Sequence, residues 1–225
     1  MKLKKLMLFP VLILNLVAGC KYDNFNEPES TLRGRVVYQG NPVSVRNNGP
    51  QLELWQDGYP LRSAIPVYLN QDGSFSAKLF DGRYKMVRRG DSPWLQQATD
   101  TIIVNVNGDT NVDLPVTPYF TLTNESYQKS ANSIVARFIV NKIVAAANVE
   151  FVRLYIGKSL LTDQVQREVR VDGNISILTI GTQFQITGDL PDNLKNLDYV
   201  FVRLGIKPTV SSEYNYTQVQ KIALK

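Results

Sequence analysis

Side chains able to do covalent or metal chemistry are scarce in this chain. Its 225 residues contain no histidine and a single cysteine, Cys20. That composition removes serine–histidine and cysteine–histidine nucleophiles and the usual zinc constellations together. What remains is carboxylate chemistry, such as a glycosidase pair, which needs two acids about 5 to 9.5 Å apart with one pKa raised. Asp, Glu and Asn here cluster at turn positions, where they serve backbone hydrogen bonding. The run Asn105–Asp113 carries enough oxygens for calcium, but its spacing does not fit an EF-hand loop, and Asn107-Gly108 is a strong hairpin signal. The expectation is a non-enzyme with no catalytic residue, no metal ligand and no cofactor.

Binding chemistry is better represented. Sugars are held by flat apolar surfaces against the C–H faces of their rings, with amides, carboxylates or arginines on the hydroxyls. In Gln51-Leu52-Glu53-Leu54-Trp55, strand alternation puts Leu52 and Leu54 on one face and Gln51, Glu53 and Trp55 on the other. Trp55, followed by Gln56, Asp57 and Tyr59, is a candidate stacking platform. Trp94 lies in a Gly- and Pro-bearing stretch, Gly90 to Gln97, that reads as a loop. The glycan candidates are therefore Trp55, Tyr59 and Trp94, with Tyr214 and Tyr216 as weaker ones. Packing over a small core, or burial between domains, is the alternative for each tryptophan.

A second candidate surface comes from an internal echo. Phe151-Val152-Arg153-Leu154-Tyr155-Ile156 and Phe201-Val202-Arg203-Leu204-Gly205-Ile206 share F-V-R-L-x-I. Alternation turns Val152, Leu154, Ile156 and Val202, Leu204, Ile206 inward, leaving Phe151, Arg153, Tyr155, Phe201 and Arg203 outward. On neighbouring strands these would form a face suited to a partner protein or an acidic sugar, since guanidinium groups bind carboxylates bidentately. Two ordinary sandwich strands with arginines snorkelling over aromatics is the plainer alternative.

The elements that position these residues follow an address signal. Met1 to Lys5 is basic, Leu6 to Val17 is apolar and too short to span a bilayer, and Val17-Ala18-Gly19-Cys20 resembles a bacterial lipobox. Residues 1–19 are expected to be a lipoprotein signal peptide and Cys20 the lipidated residue, its acyl chains giving stable membrane anchoring. Removing 1–19 takes Lys2, Lys4 and Lys5 and no acid, so 25 basic side chains become 22 against 20 acidic ones, a net charge of +2. A nucleic-acid partner loses its electrostatic support. Residues 20–30, polar and acidic, read as a flexible tether, and an acidic stretch after a lipidated cysteine resembles the surface-export signal of Bacteroidetes-type lipoproteins. The expected location is the cell-surface leaflet of the outer membrane, with a periplasm-facing lipoprotein as the alternative.

The remaining roughly 195 residues read as all-β, in short branched and aromatic runs separated by Asn, Asp and Gly turns. Leu114-Pro115-Val116-Thr117-Pro118 suggests a boundary, because two prolines withhold ladder donors. Two consecutive β-sandwich domains are predicted, 31–117 and 118–225, each with about seven strands. Strands are expected near 32–38, 51–55, 67–69, 74–79, 83–88, 101–106 and 111–116, then 120–123, 133–140, 149–156, 175–180, 184–187, 199–206 and 217–224. The second sandwich is expected to be fibronectin- or immunoglobulin-like. In the first, Phe75 is expected in the core, Gly82 at a corner, and the Tyr84 hydroxyl tied to nearby backbone.

The stretch from Asp72-Gly73-Ser74-Phe75 through Leu79-Phe80-Asp81-Gly82-Arg83-Tyr84 resembles the carboxypeptidase-regulatory, transthyretin-like sandwich, a scaffold and not a catalyst. With the lipobox, the Tyr22-Asp23-Asn24-Phe25 tether, Leu32 to Val37 and Val116 to Phe120, residues 18–225 are similar to an uncharacterised two-domain lipoprotein family, domain of unknown function 3823. That resemblance implies polysaccharide-utilisation loci, a neighbouring TonB-dependent transporter with its lid lipoprotein, and accessory glycan binding. A structural or assembly module of the same uptake complex is the alternative. Asp100-Thr101-Ile102 also resembles a short O-glycosylation sequon.

Overall fold

Alternating burial along the extended runs makes nearly all the regular structure of the described residues β-strand. The computed structural model describes residues 26–58, 63–96 and 101–225. The leader 1–19, Cys20 and Tyr59 lie outside the described residues.

The first domain runs through β1 (Ser30–Tyr38), β2 (Asn41–Pro42), β3 (Gln51–Gln56), β4 (Ile65–Tyr68), β5 (Ser74–Leu79), β6 (Gly82–Arg89), β7 (Ile102–Val106), β8 (Asp109–Asn111) and β9 (Leu114–Pro115). One sheet gathers β2, β5, β8 and β9 around β1, and the other has the order β4-β3-β6-β7. Between them lies a core that includes Leu32, Leu52, Leu54, Phe75, Tyr84 and Met86. As expected, Phe75 is buried and the Tyr84 hydroxyl donates to the Phe80 carbonyl at 2.9 Å.

The second domain comprises β10 (Phe120–Ser130), β11 (Ser133–Lys142), β12 (Val149–Gly157), β13 (Val169–Asp172), β14 (Gln183–Asp189), a one-turn helix α1 (Asp192–Lys195), β15 (Tyr199–Pro208), β16 (Asn215–Tyr216) and β17 (Gln220–Ala223). Its sheets are β10-β11-β14 and β13-β12-β15-β16, with β17 also on β15. Phe138 meets Phe184 edge-on at 5.8 Å in a core that also takes Val152, Leu154, Ile156, Val202, Leu204 and Ile206. The all-β sandwich architecture is as predicted.

Two local expectations fail for physical reasons. Asn107-Gly108 does not close a hairpin, because β7 pairs with β6 whereas β8 runs parallel to β1 in the other sheet. Gly108 turns that corner at φ 63°, its N–H shared between the Ser30 hydroxyl and the Asp81 carboxylate at 3.1 and 3.0 Å. Residues 175–180 are not a strand either. The Asn174 side chain accepts from the Ser176 N–H at 3.1 Å and starts a 3-10 turn over Ile175–Ile177. Val169–Asp172 supplies the edge strand instead.

Gly34, in the middle of β1, has strands on both sides. A Cβ there would sit 1.8 Å from the Val112 carbonyl oxygen and 2.6 Å from Phe75 Cζ. Gly34→Ala should therefore destabilise the first domain by about 2 kcal/mol, as overpacking does. Urea denaturation followed by fluorescence measures it, and an unchanged midpoint would show that β1 has room to shift.

Candidate functional site

The solvent face of the β4-β3-β6-β7 sheet carries the first candidate. Alternation along β3 buries Leu52 and Leu54 completely and leaves Gln51, Glu53 and Trp55 half-buried on the outer side, as predicted. Antiparallel register sets Tyr68 and Arg89 beside Gln51, Pro66 and Val87 beside Glu53, and Lys85 beside Trp55. Tyr68 is more than half exposed. The Trp55 indole N–H donates to Glu53 Oε2 at 3.3 Å, and Glu53 Oε1 pairs with Arg89 at 2.9 Å. Lys85 pairs with Asp57 at 2.8 Å. The ring is thus oriented by a carboxylate that an arginine holds. Trp55 lies four positions beyond Gln51, about 13 Å along the strand. Tyr68 and Trp55 therefore bracket a flat strip of amide, carboxylate and cation.

Trp94 departs from its expected role. It is 1% exposed and belongs to the first domain's core. An isolated antiparallel bridge to Pro118 fixes it, with Leu95 N–H donating to the Thr117 carbonyl at 2.9 Å and Tyr119 N–H to the Pro93 carbonyl at 3.1 Å. The prolines lock the passage between the two domains around the indole, so the ring is packing material and offers no face to a ligand. Thr101 is exposed just before β7, while Asp100 of its sequon lies outside the described residues.

The F-V-R-L-x-I strands are neighbours, β12 antiparallel to β15, with Tyr155 opposite Arg203 and Arg153 opposite Gly205. Their inward residues are buried as expected. The outward five do not form a free face: Tyr155 and Arg203 are both fully buried, which corrects the sequence expectation. The segment Ser211–Gln218 folds back over them. Tyr214 and Tyr216 pack on Tyr155 at 6.2 and 6.0 Å, and Gly205 exists to admit this lid, since a Cβ there would meet Tyr216 Cε1 at 2.8 Å. Arg153 stacks on Phe151 at 3.8 Å, binds Asp172 at 2.8 Å and donates to the Tyr214 hydroxyl. Phe201 stays half-buried, edge-on to Tyr199 at 5.6 Å, with Lys221 Nζ 3.6 Å over the Tyr199 ring.

The same segment fastens the two domains. Arg46 grips Glu213 bidentately, Nε to Oε2 at 2.9 Å and Nη2 to Oε1 at 2.7 Å, in a setting where Glu213 is nearly inaccessible. That hydrogen bonding raises the Arg46 pKa further above its ordinary value. Arg203 donates to the Thr217 carbonyl at 2.8 Å and across the interface to the Gln71 carbonyl at 3.0 Å, its guanidinium 4.2 Å over the Tyr216 ring. Burial pushes this arginine down to about 10, still a cation at neutral pH. Asp163, almost wholly buried, accepts from the Asn47 N–H at 3.1 Å while capping its own loop through the Val165 and Gln166 N–H groups. Tyr216 N–H donates to the Ser44 carbonyl at 3.1 Å, and Ser212 N–H and hydroxyl both donate to Asp91. Sequence inspection missed Arg46, Asp163 and Glu213. The one legible signal was Gly205, a strand-interior glycine where the sister strand has Tyr155, which marks close approach.

Comparison with known proteins follows the same two-domain division. Residues 30–117 match the family described as protein of unknown function (DUF3823), N-terminal domain, and residues 120–221 match the domain of unknown function DUF3823_C. A DUF3823 protein of Bacteroides ovatus is 44% identical, with 88% of this chain and 100% of that one covered and a TM-score of 0.82. One from Parabacteroides merdae is 34% identical at the same coverage, with a TM-score of 0.80. A Bacteroides uniformis protein, provisionally designated as carbohydrate binding, is 17% identical over 88% of this chain and 100% of its own, with a TM-score of 0.73. No curated protein matches the chain.

Removing one partner of a largely buried ion pair leaves the other uncompensated. Arg46→Ala should cost about 2 to 3 kcal/mol and split thermal unfolding into two transitions, one per domain; a single unshifted calorimetric peak would show the pair to be dispensable. Burial raises the Asp91 pKa, yet hydrogen bonds from Ser212, Ser211 and backbone N–H groups outweigh it, so the net shift is below the ordinary 3.8. Its stabilising contribution is complete above that unfolded value and lost as pH falls through the lower folded one. Asp91→Asn should therefore flatten the acid limb of the stability curve and leave its shape at neutral pH unchanged.

Proposed function

The chain belongs to the DUF3823 family, and from that premise we propose that it is a non-catalytic, surface-exposed outer-membrane lipoprotein that binds glycans for a polysaccharide uptake system. The observation that carries this reading is the strip bracketed by Trp55 and Tyr68. Its indole is oriented through Glu53 and Arg89, and Gln51 and Lys85 flank it as hydrogen-bonding groups. A flat sheet surface of this kind accepts a polymer from the side, where a deep pocket admits only a chain end. The provisional carbohydrate-binding designation of the Bacteroides uniformis relative supports the same ligand class. Lipidation of Cys20 would hold this strip at the membrane, near a TonB-dependent transporter and its lid lipoprotein as partners.

A second reading has its own support. Burial of Trp94 beside the domain junction, together with the part-exposed Tyr199 under Lys221 and Phe201 edge-on to it, favours an assembly module that contacts partner proteins and binds no sugar.

Affinity electrophoresis through gels containing different polysaccharides separates the two. Glycan binding predicts retardation by at least one polysaccharide, weakened about tenfold or more by Trp55→Ala, which corresponds to roughly 1.4 kcal/mol. Unretarded migration in every gel would leave the assembly reading in its place. Cys20→Ser should move the protein from the membrane fraction to the soluble one, and mass spectrometry showing an unmodified thiol in the native chain would overturn the anchoring.

A further inference from the structure

Residues of both domains line an open cleft of about 880 Å³. Its first wall is the turn between β1 and β2 with the nearby Asp72 turn, its second is the start of β10, and the returning segment with Asn215–Gln218 closes the bottom. This volume lies within the ~300–1,000 Å³ of small-molecule sites.

Backbone irregularity concentrates on both walls. Gln39 has φ 51° and Gly40 φ 80°, which turns the chain tightly between Tyr38 and Asn41. Across the cleft, β10 slips its register between Thr123 and Ser126, with Asn124 at φ 54°. Bulges of this type re-aim side chains and collect beside binding sites. The clasp through Arg46, Glu213 and Arg203 fixes the walls relative to one another, so the cavity is formed before any ligand arrives.

The lining selects a ligand class. Gln39, Asn41 and Gln218 each spend one amide N–H within the protein, on the Tyr38 hydroxyl, the Gln39 carbonyl and the Ser44 hydroxyl, and with Asn124 keep a second N–H and a carbonyl oxygen for a ligand, while Pro42 and Leu122 supply apolar patches between them. Charge is already engaged on the first wall: Arg35 is bound to Asp113 at 2.9 Å, and Asp72 accepts from the Ser74 hydroxyl at 2.7 Å. An anionic ligand finds no uncommitted cation among these groups, whereas a neutral polyhydroxylated one finds partners of both kinds. The geometry points to the interdomain cleft as a binding site for the end of a neutral oligosaccharide, gripped by Asn41 from the first domain and by Asn124 and Glu125 from the second. The ligand class is that proposed for the Trp55 strip, but the two sites share no residue and stand or fall separately.

The test is isothermal titration calorimetry of the full chain in a sugar-free detergent against gluco-, xylo-, manno- and galacto-hexaoses. Asn41→Trp fills the cleft from an exposed turn, and Glu125→Ala removes a polar group from the opposite wall. At least one hexaose should bind, with affinity lowered tenfold or more by Asn41→Trp, three- to fivefold by Glu125→Ala, and less than twofold by Trp55→Ala. Unchanged melting of Glu125→Ala keeps the result readable if the tryptophan variant folds poorly. Absence of heat with every hexaose overturns the cleft, even where the polysaccharide gels still retard the protein. Binding that survives both cleft variants and disappears in Trp55→Ala overturns it too, and assigns the sugar to the strip.

Discussion

The outer face of the β12–β15 pair cannot be left in water, and the rest of the architecture follows from how it is covered. Tyr155 and Arg203 stand opposite one another on that face. The chain folds Ser211–Gln218 back over them and then lays the first domain on top, so one short segment serves as lid for one sheet and as docking strip for another. Burying Arg203 costs desolvation. The Tyr216 ring and the Thr217 carbonyl, both of the same domain, offset part of that cost, and the Gln71 carbonyl adds a contact that exists only when the domains are joined. The interface is therefore specific in orientation as well as cohesive, because Arg46 meets Glu213, Asp163 meets the Asn47 N–H and Arg203 meets the Gln71 carbonyl only in one docked arrangement.

Much of this fold was legible because period two is a strong pattern when one side of a strand is buried. It placed Leu52 and Leu54 against Trp55, and it paired F-V-R-L-x-I with its echo. The corner at Gly82 and the Tyr84 hydroxyl were legible too, since each answers a local backbone need. Where reading failed, a local signal met a non-local competitor. Asn107-Gly108 has the chemistry of a hairpin, but Ser30 and Asp81, far away in sequence, capture the Gly108 N–H and send the chain into the other sheet. The isoleucines of 175–180 have strand propensity, yet Asn174 turns them before a ladder can form.

Orientation was legible where solvent was not. Alternation says that Tyr155 and Arg203 point away from the second domain's core, and they do; it cannot say that another part of the chain lies there. The two tryptophans make the same point. Trp55 sits in a regular strand whose inner positions are already filled, so its ring goes outward. Trp94 stands in no such strand, and its bridge to Pro118, where the chain leaves the first domain, draws the ring into that domain's core.

A rigid junction also changes what the surfaces around it can do. A flat strip on one sheet presents the same geometry whether or not the second domain is docked, because Gln51, Glu53 and Trp55 all stand on a single strand. A cleft whose walls come from different domains exists only while the clasp holds. Any ligand bridging Asn41 and Asn124 must stabilise the docked arrangement by its own binding free energy. Reciprocally, every contact that fixes the domains lowers the ordering cost of that ligand. The proposed strip and cleft sites thus depend on the interface to different degrees, and loosening it should separate them: binding at the strip should be insensitive to the Arg46–Glu213 pair, whereas binding at the cleft should weaken with it.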